Sequence, residues 1–149
     1  MKIRSYGLSD WETVREIYDL SKPDEMSGSV DLRAILPLGE DPAHLALFDE
    51  STILVIEDAG RVVGFGGYRG NYISWLYVHP AHRRKGVARM LVQEMRERLS
   101  GTITLNVGRN NSAARRLYET FGFIVDREFT GKFNGHDVQV MRMKHERAG

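Results

Sequence analysis

Val78-His79-Pro80-Ala81-His82-Arg83-Arg84-Lys85-Gly86-Val87-Ala88-Arg89-Met90-Leu91 is the stretch on which the fold turns. Just before its turn lies Tyr72-Ile73-Ser74-Trp75-Leu76-Tyr77-Val78. That short, almost wholly apolar run predicts a central strand buried on both faces. His79-Pro80 ends it. Beyond the turn, Val87, Met90, Leu91, Met95 and Leu99 recur at helical spacing and predict a helix over about Lys85 to Leu99. A buried strand passing through a tight turn into a helix leaves main-chain amides unpartnered at the positive end of the helix dipole. A diphosphate can accept those amides. A first turn beginning near Arg83 would hold Arg83, Arg84, Lys85, Gly86, Val87 and Ala88. Gly86 has no Cβ, so an oxygen can approach its backbone, and Ala88 keeps the next turn nearly as open. The three cations add charge, and arginine can hold phosphate through two parallel hydrogen bonds. Alone, R-x-x-G-x-A also fits an ordinary helix start with a basic surface. Its place between strand and helix favours the anion site.

Outward from this segment the elements alternate. Lys2 to Tyr6 can form a first strand. Ser9 or Asp10 can cap a helix carrying Trp11, Val14, Ile17, Tyr18 and Leu20 at helical spacing, ending at about Leu20. Residues 21–31 read as a polar connection, and parts of 32–49 as a second helix interrupted by Pro37 and Pro42. Strands follow at Thr52 to Glu57 and Arg61 to Arg69, joined by Asp58-Ala59-Gly60; Gly64, Gly66 and Gly67 weaken the second. Gly70-Asn71 turns the chain into Tyr72 to Val78. After the long helix come a parallel-type strand from Thr102 to Val107 and a short helix from Ser112 to Phe121, stopped by Gly122. A last hairpin, Phe123 to Phe129 with Val138 to Met143, closes around Asn134-Gly135. The order β, α, α, β, β, β, α, β, α, β, β predicts a mixed α/β fold. One mostly antiparallel sheet of about seven strands carries helices on both faces, and residues 1–149 make a single domain.

Composition narrows the chemistry. The 149 residues include no cysteine, which excludes disulfides, thiolate zinc sites and a cysteine nucleophile. The amino terminus, MKIRSYGLSDWE, lacks the apolar core of a secretory signal, and no apolar run approaches membrane-span length. A cytoplasmic protein without membrane attachment is expected. The net charge of +1 conceals a division. Ser9 to Asp58 holds 13 of the 20 acidic residues and three of the 21 basic ones. Most such residues serve as solvated surface, but the division suggests two ligands of opposite sign. Nucleic acid is a poorer partner: the cations gather at one helix end rather than along a face.

With both stretches in view, Arg83-Arg84-Lys85-Gly86-Val87-Ala88 resembles the Q/R-x-x-G-x-G/A motif of the GCN5-related N-acetyltransferases. Downstream, Asn111-Ser-Ala-Ala114-Arg-Arg-Leu117-Tyr118-Glu-Thr-Phe-Gly122-Phe123 resembles the family's N-x-x-A-x-x-x-Y-x-x-x-G-F signature. The two lie at the family's separation, and the strand order covers essentially the whole chain. The resemblance implies acetyl-CoA as cosubstrate, no metal, and transfer to a primary amine by direct attack in a ternary complex. It implies that the backbone of Leu76, Tyr77 and Val78 binds the pantetheine arm like an added strand and offers a donor to the thioester carbonyl. It assigns the pyrophosphate to Arg83 through Ala88. It places Asn111 against the cofactor, although an asparagine there can equally cap a helix. It makes Tyr118 the acid that protonates the departing thiolate; by residue type alone, the ring could simply pack on the sheet. Members of that family are often dimers, so a homodimer is a further expectation.

One position departs from the pattern. Relatives acting on ribosomal-protein amino termini carry a glutamate base five residues before the motif's asparagine, and here Asn106 stands there. A water chain, solution deprotonation, Glu57 or His79 could replace it. The acidic first third would wall the acceptor side, which points to a cationic small-molecule or peptide amine, with Trp11, Tyr72, Trp75 and Tyr77 available for flat contact. For Trp11 and Trp75, core packing is the better reading. Use of another acyl-CoA, or a non-catalytic acyl-CoA-binding module, remains an alternative.

Overall fold

In the computed structural model, which describes residues 1–29 and 31–146, seven strands share one sheet. They are β1 (Lys2–Ser5), β2 (Thr52–Asp58), β3 (Arg61–Arg69), β4 (Tyr72–Val78), β5 (Thr102–Gly108), β6 (Ile124–Phe133) and β7 (His136–Glu146). Their order is β1-β2-β3-β4-β5-β7-β6, antiparallel throughout except for the parallel β4–β5 pair. The expected mixed, mostly antiparallel sheet with helices on both faces is therefore present. Val30, within the expected connection 21–31, and Arg147 to Gly149 lie outside the described residues.

The need for two helical layers is written in β2. Ile53, Leu54, Val55 and Ile56 are all buried. Successive strand side chains point to opposite faces, so such a run demands cover on both. Ile53 and Val55 pack with Val14, Ile17 and Tyr18 of α1 (Trp11–Met26) and Phe48 of α2 (Pro42–Glu50). Leu54 and Ile56 pack toward α3 (Val87–Arg98), which contributes Val87, Leu91, Val92 and Met95. On that second face α4 (Ser112–Thr120) adds Tyr118. Gly64 and Gly66 let α3 settle close: a Cβ at either would stand 3.0 Å from Val87 Cγ1 or Met95 Cε. Among the described residues no helix is long and apolar enough to cross a membrane.

Four expectations change. First, α1 does not end at Leu20 but runs to Met26, through Pro23. Tertiary contacts override the polar, proline-containing sequence: Ser21 Oγ donates to Val78 O at 3.0 Å, and Lys22 and Met26 are buried. Second, the 32–49 stretch is two single 3₁₀ turns followed by α2, which Pro42 begins rather than breaks. Asp41 caps it by accepting from the His44 amide, and proline at the first helical position gives up no bond the helix would have made. Third, α3 starts at Val87, not near Arg83 or Lys85. Fourth, strand β4 is central but not buried on both faces, since Ile73 and Trp75 are buried and its other residues are partly open.

Candidate active site

The site begins with a break in the sheet. Strands β4 and β5 pair only at Tyr72–Thr104 and Ile73–Leu105. Past Ile73, β4 stays with β3 as far as the Gly64–Val78 pair, while β5 follows β7 to Gly108–Val140. The two parallel strands therefore diverge. The opening is a cavity of about 580 Å³, within the roughly 300–1,000 Å³ of small-ligand sites. Leu76 and Val78 line one side, Asn106 and Gly108 the other, and the α3 entry and Tyr118 line it as well.

Peptide direction decides what β4 offers. The His79 amide donates to Val63 O at 2.8 Å, and the Tyr77 carbonyl lies toward Gly64, so both peptides serve β3. Alternation then turns the peptides of Leu76 and Val78 toward the cleft. Val78 O already accepts the Ser21 hydroxyl. Of the three residues assigned to a strand-like ligand, Leu76 and Val78 can thus present main-chain groups, and Tyr77 cannot. Instead the Tyr77 hydroxyl is bonded to Lys22 Nζ at 3.1 Å.

At the α3 entry, the 3₁₀ turn Pro80–His82 leads to Arg83 in extended backbone, Arg84 at φ 64° and Gly86 at φ 80°. Gly86 is the residue that caps α3. Its left-handed backbone explains the glycine better than room for an approaching oxygen alone, because a residue with a Cβ resists that conformation. Among the described residues, the amides of Lys85, Gly86, Val87, Ala88 and Arg89 have no acceptor. The first one satisfied within the helix is that of Met90, to Gly86 O at 3.0 Å. Consecutive free amides around left-handed residues form an anion-binding concavity, and the helix dipole adds to it. Val87 buries its side chain in the core while its amide remains open. The cations divide: Arg83 is paired with Asp24 at 2.9 Å, whereas Arg84 and Lys85 are exposed and have no ion pair among the described residues.

Across the cleft, Tyr118 is 7% exposed, packs edge-on against Phe123 at 5.8 Å between ring centroids, and lines the cavity. Its hydroxyl bonds no protein group among the described residues. Burial pushes the phenol above its ordinary value, and the charge of Glu25 pushes it further, so it holds its proton at neutral pH. Asn111 caps α4 by accepting from the Ala114 amide at 3.2 Å. It also lines the cavity, where its side-chain NH₂ group stays available.

The carboxylates sit elsewhere than expected. Glu57 is bound to Arg4 at 3.3 Å, away from the cavity lining, and His79 Nδ1 accepts from the Ala81 amide. The cavity's acids are Asp24 and Glu25, at the end of α1. They escape a reading that ends this helix at Leu20. The signal that could have found them is the repeat Val14, Tyr18, Lys22, Met26, which carries the buried stripe one more turn. Much of the remaining acidity between Ser9 and Asp58 is neutralised locally: Asp10 by Arg4, Glu12 by Arg15, Asp31 by Arg33 and Glu50 by Arg69. Trp75 is core, Trp11 packs on Phe48, and the Tyr77 ring already faces the ammonium of Lys22 at 5.7 Å.

Comparison with known proteins points the same way. Residues 49–125 match the family model described as an acetyltransferase (GNAT) domain. An L-methionine sulfoximine/L-methionine sulfone acetyltransferase of Salmonella typhimurium is 33% identical over 86 residues, which cover 49% of this chain and 50% of that protein. The chain spans half or less of the length of the curated relatives it matches. Among solved structures, a GCN5-related N-acetyltransferase of Rhodopseudomonas palustris superposes with a TM-score of 0.85 at 20% identity, over 98% of this chain and 95% of that one. The putative acetyltransferase yncA of Salmonella typhimurium, solved with its cofactor acetyl-CoA, gives 0.72 at 22% identity over 98% and 93%. At these identities the structural agreement is one of fold.

Proposed function

We propose that this chain, which belongs to the GNAT acetyltransferase family, transfers an acetyl group from acetyl-CoA to a primary amine within a single domain formed by residues 1–149. The observation that carries the reading is the run of unsatisfied amides from Lys85 to Arg89 beside a sheet that opens between β4 and β5. The residues fit the cosubstrate part by part. The concavity around Gly86 takes the pyrophosphate, with Arg84 and Lys85 adding charge. The Leu76 and Val78 peptides take the pantetheine amides. The thioester supplies an activated acyl carbon, and everything else in the step falls to the protein. A main-chain amide of β4 donates to the carbonyl oxygen as it gains charge. Tyr118, neutral and buried, donates its proton to the departing sulfur. The acceptor is a cationic small-molecule or peptide amine, attacking directly while both substrates are bound; Asp24 and Glu25 favour a positive charge at that end of the cavity.

Three measurements check this. Calorimetry with coenzyme A and acetyl-CoA is expected to give saturable binding, and absence of binding defeats the whole reading. A panel of diamines, polyamines, amino acids and a lysine peptide, assayed for coenzyme A release at low and high salt, is expected to favour cationic amines most at low salt. Preference for a neutral or anionic acceptor defeats the charge assignment alone. Tyr118→Phe is expected to lower turnover by about 100-fold while leaving acetyl-CoA affinity unchanged. Turnover equal to the parent removes Tyr118 from the chemistry.

A further inference from the structure

An amine that arrives protonated must lose a proton before its nitrogen can attack, and Asn106, which lines the cavity on β5, has no group that accepts one at neutral pH. Two carboxylates share that cavity. Asp24 is largely exposed and held by Arg83 at the mouth. Glu25 is different: its side chain is 32% exposed, and Oε1 accepts from Lys22 Nζ at 3.1 Å. Lys22 is itself 7% exposed and enclosed by three rings, with its ammonium 5.6, 5.7 and 5.2 Å from the centroids of Tyr18, Tyr77 and Phe133. A second hydrogen bond, to the Tyr77 hydroxyl at 3.1 Å, fixes it there. A buried ammonium requires an anion, and the carboxylate paired with it here is Glu25. Glu25 is thus anchored from behind by a side chain that has little freedom to move. A carboxylate offers lone pairs for about four donors, so this anchor leaves most of its accepting capacity for a ligand. Its charge is also felt at Tyr118 across the cavity.

We propose that Glu25 is the residue that attracts the acceptor's ammonium and takes its proton, and that Lys22 positions it. The assignment rests on the acetyltransfer reading above. Of the three N–H protons on the ammonium, Glu25 takes one and releases it to water. The nitrogen lone pair so freed bonds to the acetyl carbon as the carbon–sulfur bond breaks. Tyr118 gives its proton to sulfur and regains one from the second N–H; the third stays on the amide. The groups facing Glu25 are Lys22 and Tyr18 from α1, Tyr77 from β4 and Tyr118 from α4, with the Asp24–Arg83 pair at the mouth. All three tyrosines are held above their ordinary values by burial, so none loses its proton between pH 6 and 9.

The test is Glu25→Gln, assayed with the best amine of the panel across that pH range. At pH 7 its kcat/KM is expected to fall about 100-fold with acetyl-CoA affinity unchanged by calorimetry. The defect should shrink steadily as pH rises, because solution then supplies the free amine without help. A defect that is uniform across pH, or turnover within about twofold of the parent, overturns the assignment. If Glu25→Gln alone fails to fold around an orphaned ammonium, the Lys22→Met/Glu25→Gln double variant removes that charge, and the same profile is read on it. A parent protein that binds acetyl-CoA yet turns over no amine would instead defeat the acetyltransfer reading.

Discussion

Replacing Gly86 with aspartate is expected to weaken acetyl-CoA binding about 100-fold while leaving the protein folded. Two effects add. Gly86 sits at φ 80°, ψ 11°, and a residue with a Cβ resists that backbone by roughly 1–2 kcal/mol. The chain relieves this by leaving the left-handed conformation, which turns the neighbouring amides out of their shared concavity. The new carboxylate then stands where helix dipole and free amides favour a ligand anion, a conflict worth about another 1 kcal/mol or more. Together they approach the roughly 2.7 kcal/mol that separates affinities a hundredfold apart. Stability should fall by no more than the roughly 1–2 kcal/mol of that strain, because a Cβ at Gly86 meets nothing within 4 Å. Gly86→Ala separates the two effects, since it carries the backbone strain without the charge and should lose less. Calorimetry for binding and thermal unfolding for stability are the measurements. Near-parent affinity in Gly86→Asp would mean that the pyrophosphate lies elsewhere.

Phe123→Ala is expected to lower stability by about 3–5 kcal/mol, the range for emptying a buried aromatic site. Phe123 is 1% exposed and shares its cluster with Leu105, Phe121 and Met143. Its ring meets Tyr118 at 5.8 Å and His145 at 5.3 Å. In a chain of this size each kcal/mol shifts the melting temperature by roughly 2–4 °C, so a fall of about 10 °C is expected in circular dichroism. The cavity left behind lies under Tyr118, so turnover measured well below the new melting point should fall as well, through a less fixed phenol. A melting temperature within about 2 °C of the parent would show that the site collapses without cost.

These two residues belong to stretches that could be read directly from the chain. Their readability has a local cause. Gly86 stands where a short apolar strand meets an amphipathic run, and Gly122-Phe123 ends a helix that presents a tyrosine one turn earlier. The strands β3 and β4 begin and end where expected for the same reason: glycine pairs and an apolar run mark turn and core without reference to distant residues. Errors gathered where distant contacts decide. At 21–26, proline, serine and charged residues argue against a helix, yet Ser21 reaches Val78 and Lys22 reaches Tyr77, both more than 50 residues away.

What the chain determined by itself was the order of elements and the turn whose amides stay free around Gly86, because periodicity and turn residues act over a few positions. The tertiary structure alone decided which groups meet. It directed the peptides of Leu76 and Val78 rather than Tyr77 into the cleft, paired Glu57 with Arg4, and carried Glu25 into the cavity on an extended α1. The reason is physical: a carboxylate's role follows from the charge and burial around it, and those are set by residues remote in sequence.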